Sequence, residues 1–207
     1  QSRHFLKKSS HIIISLGTSW GYIYEGTDEV VANCHKIPQK KFEKRLSSIE
    51  EIKNDFQLIT DSVAKLNENA KVIYTISPIR HLKDGFQENQ QSKSHLISAL
   101  HEFLVSNSQS TYFPSYEILM DELRDYRFYT DDMLHPNSLA IDYIWKLFSE
   151  NWMTQETLDL NNDIDKIQKA LSHRPREENS IGHKKFLTKL QDKIGEIQQK
   201  HPQITFS

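Results

Sequence analysis

Two short apolar runs of strand character, His11–Leu16 and residues 71–77, stand on either side of a long helical pattern, and this arrangement constrains the fold more than anything else in the chain. Each run is rich in β-branched residues, the first ending at Gly17 and the second at Pro78. A run that is apolar throughout, without alternation, suits a strand covered on both faces, as in a parallel sheet. Between the two, Ser48-Ile49-Glu50-Glu51 has the pattern of a capping box, after which Ile49, Ile52, Phe56, Ile59, Val63 and Leu66 recur at helical spacing. Ser92 is read as opening a second helix over residues 92–105, and Thr111-Tyr112-Phe113 as a short third strand. Leu139, Ile141, Ile144, Trp145 and Phe148 mark a helix after His135. Strands alternating with helices predict an α/β fold with a three-layer parallel sheet. Tyr22-Ile23-Tyr24 and Val30-Val31-Ala32 flank a polar, glycine-containing stretch and read as a hairpin.

From Thr154 the chain becomes rich in Lys, Glu and Gln. Residues 154–171 and 180–200 read as two helices joined by Ser172-His173-Arg174-Pro175-Arg176. Leu187, Leu190, Ile194 and Ile197 form one apolar stripe, which predicts a helical hairpin packed on the sheet domain or on a partner. The expected division is therefore an α/β domain over 1–153 and a C-terminal helical extension over 154–207.

Composition narrows the function. A formal net charge of −2 over 207 residues provides no basic field for nucleic acid. No apolar run approaches the length of a membrane span, so no membrane partner is expected. Cys34 is the single cysteine, which rules out an internal disulfide and a multi-cysteine zinc site. The ten histidines lack metal-ligand spacing, and neither metal nor cofactor is expected. A reducing, cytoplasmic setting follows by default. The chain starts Gln1-Ser2-Arg3 without Met, so a preceding segment, with any targeting signal, is expected upstream.

The residues that suggest chemistry lie at the predicted strand ends. Asp132 stands three residues before His135, at a loop-to-helix junction, inside a run dense in Tyr, Arg, Asp and His. There a carboxylate can orient an imidazole that takes the proton of a serine. The plainer reading is a turn-capping Asp and a His at a helix start before Pro136. Gly17-Thr18-Ser19-Trp20-Gly21 spells G-x-S-x-G, but a nucleophile elbow needs a helix next, and Tyr22-Ile23-Tyr24 is a strand pattern. A glycine-bracketed turn that lets a ligand approach is the better account of Gly17 and Ser19. Asn33 could donate to an oxyanion or simply form a turn. Cys34 and His35 are adjacent and would point to opposite faces of a strand, which disfavours a dyad. Arg80 and His81 follow the second strand at the end where open α/β sheets bind ligands. Ser92-Lys93 suggests a Ser-Lys dyad but reads more simply as a helix cap. For Arg124, Asp125 and Arg127 a structural ion-pair network outranks anion binding.

As an ordered set, several strings resemble the GSCFA domain family, within the SGNH/GDSL-like hydrolase superfamily. They are Leu16-Gly-Thr-Ser-Trp20, Val31-Ala-Asn-Cys-His-Lys-Ile-Pro38, Thr75-Ile-Ser-Pro-Ile-Arg-His-Leu-Lys-Asp-Gly85, Ser92-Lys93, Tyr112-Phe-Pro-Ser-Tyr-Glu117 and Leu123-Arg-Asp-Tyr-Arg-Phe-Tyr129 through Asp132-Met-Leu-His-Pro136. The resemblance implies a flavodoxin-like three-layer sheet with Asp132 and His135 completing a Ser-His-Asp triad. It departs in two respects: the Gly-Ser-Cys-Phe-Ala string that would carry the nucleophile does not occur in these residues, and the superfamily's Gly-x-Asn-Asp block is present only in outline, with Ser19 where the oxyanion Asn would stand and Asn33 as its substitute.

The expectation is an ester hydrolase, or an acyltransferase using the same chemistry, whose serine lies outside this chain, in a missing N-terminal segment or a partner chain. His135 would be base then acid, Asp132 its orienter, Asn33 and Gly17 the oxyanion donors, and Ser19, Arg80 and His81 the substrate contacts. The substrate would be a small-molecule or carbohydrate ester, the latter by superfamily analogy, and the chain alone would be inactive. The alternatives are a non-catalytic binding module and a hydrolase using Ser19.

Overall fold

The structure, a computed structural model, describes residues 2–27, 29–31, 33, 34, 36–173 and 181–206. It divides into two compact units, residues 1–145 and 146–207. In the first unit, β1 (His11–Leu16), β5 (Lys71–Ile76) and β6 (Ser110–Phe113) form a parallel sheet in the order β1-β5-β6. β1 and β5 run in register from His11 opposite Lys71 to Leu16 opposite Ile76. The fold class is therefore α/β, as the alternation predicts. The connection from β1 to β5 holds a second, antiparallel sheet, β3-β2-β4, built from β2 (Trp20–Tyr24), β3 (Glu29–Val31) and β4 (Phe42–Leu46). β2 and β3 are the predicted hairpin. β4 was not foreseen, because Phe42-Glu43-Lys44-Arg45-Leu46 is charge-rich. Phe42 nonetheless packs on Tyr22 and Tyr24, with ring centroids 6.4 and 5.2 Å away.

Helices α2 (Ile49–Leu66) and α3 (Phe86–Ser106) cover one face of the parallel sheet. The capping box forms as read: the Ser48 Oγ accepts from the Glu51 N–H at 3.2 Å, and the Glu51 carboxylate accepts from the Ser48 N–H at 2.8 Å. The core beneath them joins Ile52 and Phe56 of α2, Leu96, Leu100 and Phe103 of α3, and Val72, Tyr74 and Ile76 of β5. α3 begins at Phe86, not at Ser92, and its cap is Gly85 at φ 102°, a left-handed conformation that glycine adopts without strain. β5 is buried from Val72 to Ile76, whereas β1 alternates, and Ile13 is 54% exposed. Residues 11–16 are therefore not covered on both faces as expected: the face with Ile14 and Leu16 packs on the core while the face with Ile13 stays open, and β1 is an edge strand whose ladder partner is β5 alone among the described residues.

After β6 the chain forms a short helix α4 (Ser115–Glu117), a π-helical turn (Ile118–Leu123) and a 3-10 turn (Tyr126–Phe128). Leu119, Phe128, Tyr129 and Ala140 then pack as a smaller core with α5 (Ser138–Trp152). In the second unit, α6 (Gln155–Ser172), capped by Thr154, and α7 (Ile181–Lys200) meet through Ile167, Leu190 and Ile194. The predicted stripe is thus buried at Leu190 and Ile194, while Leu187 stays exposed. Arg174, Pro175 and Arg176 of the predicted linker lie outside the described residues, as do Ala32 of the hairpin reading and His35. A short helix α1 (Ser2–Lys8) precedes β1.

Candidate active site

At the carboxyl ends of β1 and β5 the backbone turns into the loops that carry most of the predicted site residues. The loop over residues 129–136 is closed by hydrogen bonds from the Thr130 N–H to the His135 carbonyl (2.8 Å) and from the Met133 N–H to the Thr130 carbonyl (2.9 Å). Met133 takes a left-handed φ of 61°. The resulting fold-back lets one Asp132 oxygen, Oδ1, accept from the Leu134 N–H (2.8 Å), the His135 N–H (3.0 Å) and the Thr130 hydroxyl (2.6 Å). The other, Oδ2, lies 2.6 Å from His135 Nδ1. These donors, the Thr130 hydroxyl foremost, hold the Asp132 carboxyl well below the ordinary carboxylate range, so it is ionised at neutral pH. The imidazole is thereby gripped at Nδ1. Nε2 receives no hydrogen bond from any described residue, and the side chain is 54% exposed. An imidazole anchored by a carboxylate on one nitrogen and open on the other has the geometry of a general base.

This loop is tied to the sheet through Arg80. The Arg80 N–H donates to the Leu134 carbonyl at 3.4 Å, and its guanidinium reaches the Met133 carbonyl at 3.3 Å. The same guanidinium lies over the rings of Tyr129 and Tyr126, 4.3 and 5.3 Å from their centroids. His81 is held by its N–H on Asn89 Oδ1 (2.8 Å), and its ring covers Gly17: a Cβ there would stand 3.0 Å from His81 Nε2. Gly17, His81, Arg80 and the Asp132–His135 loop thus form one continuous chain of contacts. Asn33 is exposed in the connection between β3 and β4 of the antiparallel sheet, whereas Gly17 follows β1 of the parallel sheet.

Ser19 is buried, and its hydroxyl donates toward the Ser92 carbonyl (3.0 Å) and Oγ (3.1 Å). Ser92 Oγ also accepts from the Ser19 N–H at 2.7 Å and pairs with the Thr18 hydroxyl at 2.9 Å. β2 begins at Trp20, so no helix follows Ser19 and no elbow is formed. Ser92 and Lys93 correct the cap reading: they sit well inside α3 and are fully buried. Lys93 Nζ donates to the Gly17 and Ser77 carbonyls, both at 2.6 Å, bridging the ends of β1 and β5. Burial pushes this ammonium down to about 8. Their signal was available in the sequence, because Asn89, Ser92, Leu96, Ala99 and Phe103 share one helical face, with Lys93 and Leu100 beside it.

Beside Arg80 a cavity of about 400 Å³ opens among Tyr116, Tyr126, Tyr129, Asp121, Arg124 and Asp125. The expected ion-pair network of Arg124, Asp125 and Arg127 is absent among the described residues. Asp125 Oδ1 instead accepts from the Arg127 N–H at 2.9 Å, and the Arg127 guanidinium lies 4.7 Å from the Phe128 ring centroid. A polar turn geometry, not charge pairing, accounts for these residues. No cluster of three metal-ligating side chains occurs among the described residues, and no described helix is long and apolar enough to cross a membrane.

A family model described as the GSCFA family matches residues 1–148, and one described as the C-terminal domain of GSCFA domain proteins matches residues 164–207. No curated protein and no solved structure matches the chain.

Proposed function

The chain belongs to the GSCFA family, and from that premise we propose that Asp132 and His135 are the orienting acid and the base of an SGNH-type ester hydrolase or acyltransferase. The observation that carries this reading is the 2.6 Å bond from Asp132 Oδ2 to His135 Nδ1 in an ionised, multiply hydrogen-bonded carboxylate beside the strand ends. The nucleophile is a serine outside these 207 residues, since the best internal candidate, Ser19, has its hydroxyl bonded to Ser92.

The chemistry runs as a double displacement. The serine oxygen attacks the acyl carbonyl while its proton passes to His135 Nε2. The tetrahedral oxyanion is met by backbone N–H groups near Gly17 and by Asn33. Collapse expels the alcohol, which takes the proton from His135. Water, or an acceptor alcohol in a transferase, then attacks the acyl-serine with His135 again as base, restoring the serine hydroxyl. Asp132 keeps the proton of the neutral imidazole on Nδ1, so that Nε2 presents its lone pair. Arg80 and His81 contact the substrate, while Ser19 shapes the turn that admits it. The reading includes the three-layer flavodoxin-like sheet of the superfamily and a cytoplasmic setting.

The test uses a fluorophosphonate serine probe on this chain alone and on this chain joined to a family segment bearing Gly-Ser-Cys-Phe-Ala, with the labelled peptide read by mass spectrometry. The expected result is labelling of that segment's serine in the joined form only. Labelling at Ser19 in the isolated chain would overturn the reading in favour of a self-sufficient hydrolase. Absence of labelling in both forms would favour a non-catalytic binding module.

A further inference from the structure

The cavity beside Arg80 has a property that the hydrolase reading does not use: among the described residues it presents side-chain charges of both signs that are not joined to one another in ion pairs. Asp121 lies in the π-helical turn Ile118–Leu123, and Arg124 follows it in a left-handed conformation at φ 47°. Both line the cavity, three residues apart, yet neither the Arg124 guanidinium nor the Asp121 carboxylate makes a hydrogen bond or ion pair with a described residue. A non-glycine residue held in the left-handed region costs of the order of 1 kcal/mol and persists only where its surroundings impose it. Here the Arg124 N–H closes the π turn on the Leu119 carbonyl at 3.0 Å, which fixes the strained residue at the cavity rim. The walls add aromatic surface, since Tyr126 is 59% exposed and packs against Tyr129, whose ring Arg80 covers.

A ligand for such a pocket must both donate and accept hydrogen bonds and must offer an apolar face to tyrosine. An anion meets only half of these demands, because the carboxylates Asp121 and Asp125 offset the guanidinium groups of Arg80 and Arg124. A sugar meets all of them: its hydroxyls donate to Asp121, accept from Arg124, and its C–H face lies on a ring. At about 400 Å³ the cavity falls within the range of small-ligand sites. We propose that this cavity is a glycosyl subsite, in which Asp121 and Arg124 recognise the hydroxyls of a neutral sugar while Arg80 links the subsite to the Asp132–His135 loop. Its connection to catalysis rests on the hydrolase reading, but the binding itself does not. The sugar is then the portion of the ester that positions the scissile bond at His135.

The test is saturation-transfer NMR of the 207-residue chain with xylose, N-acetylglucosamine and cellobiose, and separately with galacturonate and inorganic phosphate. The sugars are titrated to about 20 mM, which reaches dissociation constants in the millimolar range. D121N and R124Q are compared with the unsubstituted chain, their folding checked by far-ultraviolet circular dichroism. The expected result is saturation transfer to at least one neutral sugar, weakened about ten-fold or more in affinity by either substitution. Binding of galacturonate or phosphate alone would overturn the proposal in favour of an anion site. So would the absence of transfer to every neutral sugar, or transfer that neither substitution weakens. The fluorophosphonate probe carries no sugar, so the two readings fail separately: labelling without sugar binding removes the subsite, and sugar binding without labelling removes the hydrolase.

Discussion

At the scale of single residues, Asp132 does two things at once. Oδ1 closes the loop through three donors, and Oδ2 remains for His135. Substituting Asp132→Asn therefore removes the orienting charge while retaining much of the loop's shape. In alkaline solution, where imidazoles are neutral, nitrogen-detected NMR of the unsubstituted chain is expected to show His135 protonated at Nδ1. In D132N the proton should redistribute toward Nε2, and an unchanged tautomer would contradict the assignment. Lys93 is the second decisive residue. Its ammonium is pushed down to about 8 in the folded state, against 10.5 for the ordinary group. Between those values the unfolded chain binds the proton that the folded chain has released, so this group makes stability rise with pH across that window. Chemical denaturation of the unsubstituted chain and of Lys93→Met should show the former gaining on the latter from about pH 8 to pH 10. Parallel curves would mean that Lys93 titrates normally.

At the scale of elements, the legible part of the fold was the part with periodicity. The helix α2 announced itself through Ser48, Glu51 and the spacing of Ile52, Phe56 and Val63, and Ser48→Ala is expected to cost about 1 kcal/mol of stability in urea unfolding. β5 was legible for the opposite reason, a short apolar run without alternation that suits the central strand of its sheet. β4 was hidden because its partners are aromatic residues far along the chain, Tyr22 and Tyr24, which no local pattern reports. The start of α3 was misplaced because a buried serine and lysine look like a polar helix beginning. Their burial depends on acceptors supplied by the ends of two strands, Gly17 and Ser77. The Asp132–His135 spacing was readable in one dimension. The cavity beside Arg80 was not, since it needs a π turn and a left-handed Arg124 that composition does not reveal.

At the scale of the whole molecule, the parallel sheet presents β1 as an edge, with Ile13 exposed on a strand whose sequence is apolar enough for an interior position. A parallel strand added there would end beside Gly17, where the proposed serine is needed. Ile13→Lys is expected to leave unfolding in urea within about 0.5 kcal/mol, as for an exposed position, while abolishing association with a family segment bearing Gly-Ser-Cys-Phe-Ala supplied as a separate polypeptide. Association unaffected by Ile13→Lys would place that segment elsewhere. The account as a whole stands on His135 acting as the base, and the most direct measurement is the rate of fluorophosphonate labelling in the joined form, with and without His135→Ala. The substitution should slow labelling by about 10²–10⁴-fold at neutral pH, because the serine loses the group that takes its proton. Labelling at the same rate in both proteins would contradict the account, leaving Asp132 and His135 as the closure of a loop.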